Sequence, residues 1–327
     1  MNRRDHAVLY IGIWGILVLI FDGKTAIEGA SEGISLCLNT LIPSLFPFFV
    51  LTGIVTSALV GQSIPWLRPL GRFCHMSDGS ESLLAVGILG GYPVGAGNIR
   101  QAYRKGNLGM EEANRLAVFC NNAGPSFIFG VMGQLFPDIS WAALLWLIQI
   151  VSAVLIGSMS VGPHEKMPTN ESRSVTVSDC LDRGLRNMGA VCGWVILFRI
   201  LLEFLDKWVL QYFSPVIRVL ITGILELSNG CIGLETIPDP YLRFLLASVM
   251  LSLGGICILM QTRAVFPELN IPQYLKGRLI HLLCSVALSL LILFIRLRKF
   301  QAVSVLILLP VAFAVRKSLA KKEVAIP

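Results

Sequence analysis

"GGYPVGAGNIRQAYRKGNLGMEEANRLAVFCNNAGPSF", residues 90–127, decides how the chain is read. Two runs of helix-breaking residues, 90–97 and 121–125, interrupt apolar segments and enclose a polar stretch. Glycine opens backbone conformations closed to other residues, and proline removes an N–H donor. In lipid, non-helical backbone is tolerated only inside the protein or around a wet cavity. The surroundings of this stretch therefore set the fold.

Those surroundings are mostly apolar. Hydrophobic residues make up 54% of the 327, charged residues 14%, and the mean hydropathy is +0.71. A soluble domain carries about 25% charged residues, so the composition predicts an all-α polytopic membrane protein with the lipid bilayer as its main partner. Apolar runs of about 17–25 residues are long enough to cross. They suggest one membrane domain over 1–327 with eight crossings: 7–21, 41–60, 117–135, 141–159, 187–205, 241–262, 279–295 and 300–315. Two shorter, Gly-broken stretches, 83–98 and 216–233, suit re-entrant hairpins. Residues 26–40 suit an amphipathic helix lying along the surface.

The net charge is +7. No basic stripe is interleaved with aromatics, so no nucleic acid is expected, and the excess fits cytoplasmic loops. Arg3, Arg4, Arg68, Arg72, Arg100, Arg104, Lys105 and the basic tail set both termini in the cytoplasm of a multi-pass cell (inner) membrane protein. Arg296, Arg298 and Lys299 fall on the wrong side, which a non-crossing hairpin of the last two segments would resolve. The apolar run after Arg3 and Arg4 has no small-x-small cleavage site before Asp22, and reads as an uncleaved first helix. Eight scattered cysteines form no CxxC pair, which predicts free thiols and no metal. Without a Walker loop, a Rossmann fingerprint or HExxH, no cofactor and no enzymatic activity are expected. A homo-oligomer is compatible with the chain.

The two halves echo one another. "GILGGYPVGAG" (87–97) resembles "GILELSNGCIG" (223–233), and "LAVFCNNAGPSFIFGVMGQLF" (116–136) resembles "LASVMLSLGGICILMQTRAVF" (246–266). The shared order is helix, broken hairpin, broken helix, in repeats over 28–158 and 178–295, with a C-terminal helix and tail over 296–327. With the charge-derived topology the repeats run in opposite directions, an arrangement of secondary transporters whose site lies where broken helices meet.

Gly91-Tyr92-Pro93-Val94-Gly95-Ala96, with 112–116 and 121–126, resembles the Gate, or nucleoside-recognition, domain, and in particular the sporulation integral membrane protein YlbJ family. The resemblance implies a permease-like fold and a role in spore formation. Gly97 stands where a lysine is associated with the pattern.

Several residues could then meet a small polar solute or ion. Asn121 and Asn122 carry donors and acceptors suited to a ribose, a base edge or a cation; alternatively they satisfy backbone freed by Pro125. Ser126, Asn98, Ser252 and Asn229 are further candidates for substrate binding. Gly91, Pro93, Gly95, Gly124, Pro125, Gly254 and Gly255 shape hairpins and breaks, and Tyr92 either anchors at the interface or stacks on a base. Glu226 is the candidate for coupling or protonation, because a carboxylate in hydrocarbon costs roughly 2.5–3.5 kcal/mol on insertion scales; alternatively it sits shallow enough to reach water. Residues 99–115 read as a solvated cytoplasmic helix. A non-transporting scaffold of spore-envelope assembly and a metal-ion permease are the alternatives to a solute permease.

Overall fold

The computed structural model describes residues 3–59, 64–162 and 176–296, and among these every regular element is helical. The first half comprises α1 (Arg3–Phe21), α2 (Gly23–Leu36), α3 (Ile42–Leu59), α4 (Arg68–Phe73), α5 (Glu81–Gly90) and α6 (Val94–Arg104). It continues with α7 (Met110–Phe119), α8 (Pro125–Gly130) and α9 (Ile139–Met159). The second half comprises α10 (Val177–Trp208), α11 (Pro215–Leu225), α12 (Leu227–Gly233), α13 (Pro240–Leu253), α14 (Gly255–Val265) and α15 (Ile271–Arg296).

Helix starts follow their sequence. Pro125, Pro215 and Pro240 each stand at a first helical position, where the missing N–H is unused anyway. Asp239 and Asp138 cap α13 and α9 through their carboxylates. Thr176 and Asp179 form a reciprocal capping box on α10.

Five stretches among the described residues are long and apolar enough to cross a membrane: Gly23–Val55, Ile139–Met159, Val177–Trp208, Pro240–Val265 and Ile271–Arg296. This is fewer than the eight crossings the hydropathy suggests. Residues 117–135 are not one rod, because the helix ends at Phe119 and restarts at Pro125. The apolar part of α1, Gly12–Phe21, is short, and 300–315 lies outside the described residues, as does most of the tail. Residues 26–40 do not lie along a surface: α2 runs through a π-helical turn, Cys37–Leu41, directly into α3. The helix over the last described apolar run starts earlier than that run, at Ile271, and its 26 residues suffice to span; the second arm of the hairpin expected from 279–315 lies outside the described residues.

The long helices pair antiparallel. Lys207 meets Asp22 at 2.5 Å, Cys37 Sγ reaches the Cys192 carbonyl at 3.8 Å, and Gly184 faces Val50, so α10 descends as α2 and α3 ascend. Likewise Arg296 pairs with Asp138 at 3.8 Å, while the Ser152 and Ser285 hydroxyls meet at 2.9 Å, so α9 and α15 are antiparallel. Small residues allow these backbones to approach. A Cβ on Gly29 would stand 2.9 Å from the Ile200 Cα.

Two buried apolar clusters are stacked along the bundle. One gathers Leu41, Phe49, Ile128, Trp141, Phe244 and Met250, and the other Leu84, Ile99, Leu116, Phe119, Ile156 and Phe266. Large apolar side chains such as Trp14, Leu51, Leu197, Leu201, Leu279 and Leu283 remain on the outside, as lipid contact requires. The polar stretch 99–115 is not wholly solvated. Its second part enters the bundle, where the buried Arg115 donates to the carbonyls of His75 (2.6 Å) and Ser160 (3.0 Å), and the buried Glu112 accepts from the Ser77 hydroxyl (2.8 Å).

Candidate functional site

Both halves fold back a helical pair, and in both the tip of that pair seats on a helix break. In the first, α5 and α6 turn at 91–93, where the Tyr92–Pro93 peptide is cis. Gly91 has φ +68° and ψ −172°, a conformation essentially reserved for glycine. A Cβ there would stand 2.6 Å from the Gly124 nitrogen, so the turn touches the gap between α7 and α8 backbone to backbone. In the second, α11 and α12 turn at Glu226, and the gap between α13 and α14 falls at Gly254, with φ +74°. A Cβ on Gly255 would stand 2.9 Å from the Gly223 carbonyl. The Tyr92 hydroxyl bridges the two junctions, donating to the Leu251 carbonyl at 2.9 Å.

The first junction is filled by the protein's own groups. Arg278 on α15 is 2% exposed, and its guanidinium donates to Asn122 Oδ1 at 3.0 Å and to the Asn121 carbonyl at 2.8 Å. The rings of Tyr92 and Tyr274 flank it at 5.6 and 5.5 Å, a cation–π cradle. The Asn121 amide donates to Thr262 and Tyr274 hydroxyls, both at 3.2 Å, and its oxygen accepts from the Ala96 N–H at 3.3 Å. Asn122 donates back to the Phe119 carbonyl at 2.7 Å. The unwound backbone and both asparagines are thus engaged within the fold.

The second junction is organised differently. Glu226 is fully buried in extended backbone and caps α12, Oε2 accepting from the Asn229 N–H at 2.7 Å and from its side-chain amide at 2.8 Å. Its other oxygen, Oε1, makes no well-formed hydrogen bond, nor does the buried Gln261 Oε1. Both residues line a cavity of about 30 Å³ between the two hairpin tips and the first break, with Gly91, Tyr92, Gly124, Ser126 and Ser228 in its wall and Ile258 of α14 closing it on the side of the second break. About 10–15 Å³ suffices for one water, so the space matches one or two small polar species.

On the other side of Asn229 lies an open vestibule of about 660 Å³, lined by Glu32, Asn39, Arg199, Asp206, Arg218 and Thr236 among others. Arg199 pairs with Glu32 and Glu203, and Arg218 with Asp206. Such charges mark an aqueous space. The opposite end of the bundle is held by Arg100 on Glu268 at 3.1 Å, the Asn270 N–H on Asn114 at 2.6 Å, and the Arg115 and Glu112 contacts.

Of the residues singled out in the sequence, Gly91, Tyr92, Gly124, Ser126 and Glu226 meet at the cavity, and Asn229 separates it from the vestibule. Pro93 and Gly95 stay in the first hairpin, and Pro125 starts α8. Asn98 does not close the tip; it lies inside α6 and donates to the Val94 carbonyl. Ser252 is drawn into a buried seam, donating to the Ser248 carbonyl at 2.6 Å and accepting from Gln149 at 3.4 Å. Arg278, Tyr274 and Gln261 escaped the sequence reading. Arg278 directly precedes the apolar run 279–295 and reads as its flank; the signal was that α15 begins seven residues earlier.

Spanning helices, lipid-facing apolar surface and buried polar junctions define a polytopic α-helical integral membrane protein. No family model matches the chain, and no solved structure matches it. Among curated proteins, the sporulation integral membrane protein YlbJ of Bacillus subtilis (strain 168) is 30% identical over 145 residues, covering 42% of this chain and 34% of the relative. The match spans about a third of that relative's length.

Proposed function

We propose that the protein is a permease-like membrane protein that moves a small polar solute or ion by alternating access, and that it serves spore formation. The observation that carries this reading is the small cavity between two hairpin tips, the first helix break and α14, with the buried Glu226 linked through Asn229 to an open vestibule. The order long helix, folded-back pair, broken helix, long helix occurs twice, and the equivalent long helices are antiparallel. We read this as an inverted repeat of the Gate type, with re-entrant hairpins whose tips reach the middle of the membrane. One end open and the other closed by buried polar contacts is what a state facing one side looks like. With the amino terminus in the cytoplasm of a cell-membrane protein and α1 taken as a crossing in addition to the five longer stretches, the vestibule faces outward, and Arg68, Arg72, Arg104 and Lys105 lie inward. The similarity to a sporulation membrane protein motivates the cellular setting.

Cysteine accessibility tests the reading. In a cysteine-free background, Thr236→Cys in the vestibule is expected to react with a membrane-impermeant thiol reagent from one side only. Ser126→Cys in the cavity wall is expected to react slowly from either side, as the site turns. Complete protection of position 126 from both sides, in active membranes, would remove transport through this cavity and leave a scaffold.

A further inference from the structure

The cavity wall contains a single charged side chain, Glu226, and is otherwise apolar except for Tyr92, Ser126, Ser228, Gln261 and backbone. Two of these groups carry acceptors without a well-formed hydrogen bond, Glu226 Oε1 and Gln261 Oε1, both buried; the Ser228 N–H and hydroxyl interact with the Glu226 carboxylate more loosely. The donor end of the Gln261 amide is already engaged on Cys257 Sγ at 3.2 Å, which leaves the oxygen as its free end. Burying an acceptor without a partner costs about 1–3 kcal/mol, more for a charged group, so two such oxygens at one cavity call for a common occupant.

The chemistry of the donors narrows it. Carboxylate, amide and hydroxyl oxygens are hard ligands, suited to alkali and alkaline-earth cations rather than to thiophilic metals. Among the described residues no three His, Cys, Asp or Glu side chains gather to hold a metal ion. One carboxylate balances one positive charge. A divalent ion would leave an uncompensated charge away from water, which is strongly unfavourable. A proton on Glu226 would supply a donor to one neighbour, whereas a cation accepts several oxygens at once. The volume of about 30 Å³ leaves room for a small ion stripped of most of its water.

We infer that this cavity is a binding site for one monovalent cation of about the size of sodium, ligated by Glu226 Oε1 and Gln261 Oε1 with the Ser126 and Ser228 hydroxyls beside them. The inference takes the site from the permease reading but names its occupant, and the two can fail separately. A protein that binds sodium and passes nothing keeps this site and loses transport.

The test uses the purified full-length protein in detergent. Binding of ²²Na⁺ is measured by scintillation proximity, and thermal unfolding is followed in NaCl, KCl and choline chloride at constant ionic strength. Saturable ²²Na⁺ binding near one ion per chain is expected, with a Tm that rises and saturates in NaCl but not in choline chloride. Glu226→Gln and Gln261→Leu are each expected to lose at least tenfold in sodium affinity, and the vestibule variant Thr236→Ala to keep it. Wild-type protein that binds no ²²Na⁺ overturns the inference whatever the variants do. So does equal stabilisation by choline, binding only of Mg²⁺ or Ca²⁺, or unchanged sodium affinity in a folded Glu226→Gln protein.

Discussion

The two junctions have the same construction and opposite contents. At each, a folded-back helical pair presents its tip to a gap in a neighbouring helix, and glycine lets the backbones touch. At the first, Arg278 reaches in from α15 and supplies the donors that the unwound segment lacks. At the second no cation does so: the Tyr92 hydroxyl serves the Leu251 carbonyl and the Asn229 amide serves Glu226 Oε2, while Glu226 Oε1 and Gln261 Oε1 face a cavity. The difference teaches that a helix break is a set of demands for hydrogen bonds. A fold can meet them permanently with its own cation, or leave them for something that comes and goes.

The comparison breaks first at Asn122. Replacing Asn122 by Leu removes the side-chain acceptor of a fully buried guanidinium. Among the described residues no carboxylate forms an ion pair with Arg278. Removing the partner of a buried charge typically costs about 3–5 kcal/mol, and a loss of that order is expected from denaturant unfolding in detergent. Pairing it with Arg278→Leu is expected to recover a large part of the loss, because the stranded charge goes too. Asn122→Leu as stable as wild type would show that Arg278 is no internal substitute for a ligand. Next comes Gly91→Ala, which forces a side chain into a conformation costing about 1–3 kcal/mol and against the Gly124 backbone. It is expected to lower the yield of folded protein more than Gly97→Ala, whose Cβ would meet nothing within 4 Å.

These two predictions also separate what the sequence displays from what it hides. Breaks are local chemistry: Gly124-Pro125, Gly254-Gly255 and Gly91-Tyr92-Pro93 announce themselves wherever the rest of the chain lies. The repeated order of elements is legible for the same reason. What fills a break is tertiary. Nothing near residue 121 indicates that an arginine more than 150 positions later will lie against it, and a hydropathy window places a charge such as Arg278 at a helix end. The same window merges α7 and α8 into one crossing and separates α2 from α3, because it registers apolar content and is blind to whether the backbone is continuous. Glu226 was legible as costly, but the bare oxygen of Gln261 beside it was not, since Gln261 sits in an unremarkable stretch of α14.

A milder change sharpens the comparison. Tyr92→Phe keeps the ring over Arg278 and removes only the hydroxyl that donates to the Leu251 carbonyl beside the second break. A hydrogen bond of this kind contributes about 0.5–1.5 kcal/mol, and a loss in that range is expected. Under the two-junction account the same variant also loosens the cavity wall, so labelling of Ser126→Cys is expected to speed up while labelling of Thr236→Cys stays unchanged. Equal rates at both positions would mean that the junctions do not communicate through Tyr92.

The smallest effect belongs at the closed end. Glu268 between α14 and α15 pairs with Arg100 and Arg104 on the first hairpin. Its carboxyl is held below the usual glutamate range, first by its own backbone amide and then by Arg100. A depressed carboxylate stabilises the fold above its unfolded pKa, and that contribution disappears as the pH falls through the lower folded value. The Arg100–Glu268 pair is half-buried at the surface, and ion pairs open to solvent contribute little. Glu268→Gln is therefore expected to cost little near neutral pH, and the gap from wild type should close as the pH is taken below about 4. If closure of this end depends on the pair, the same variant in neutral buffer will raise the reactivity of cysteines placed on the α6 face. If the end is held by the buried Arg115, Glu112 and Asn114 contacts, reactivity will not change, and the permanent polar contacts that fill the first junction extend to its mouth.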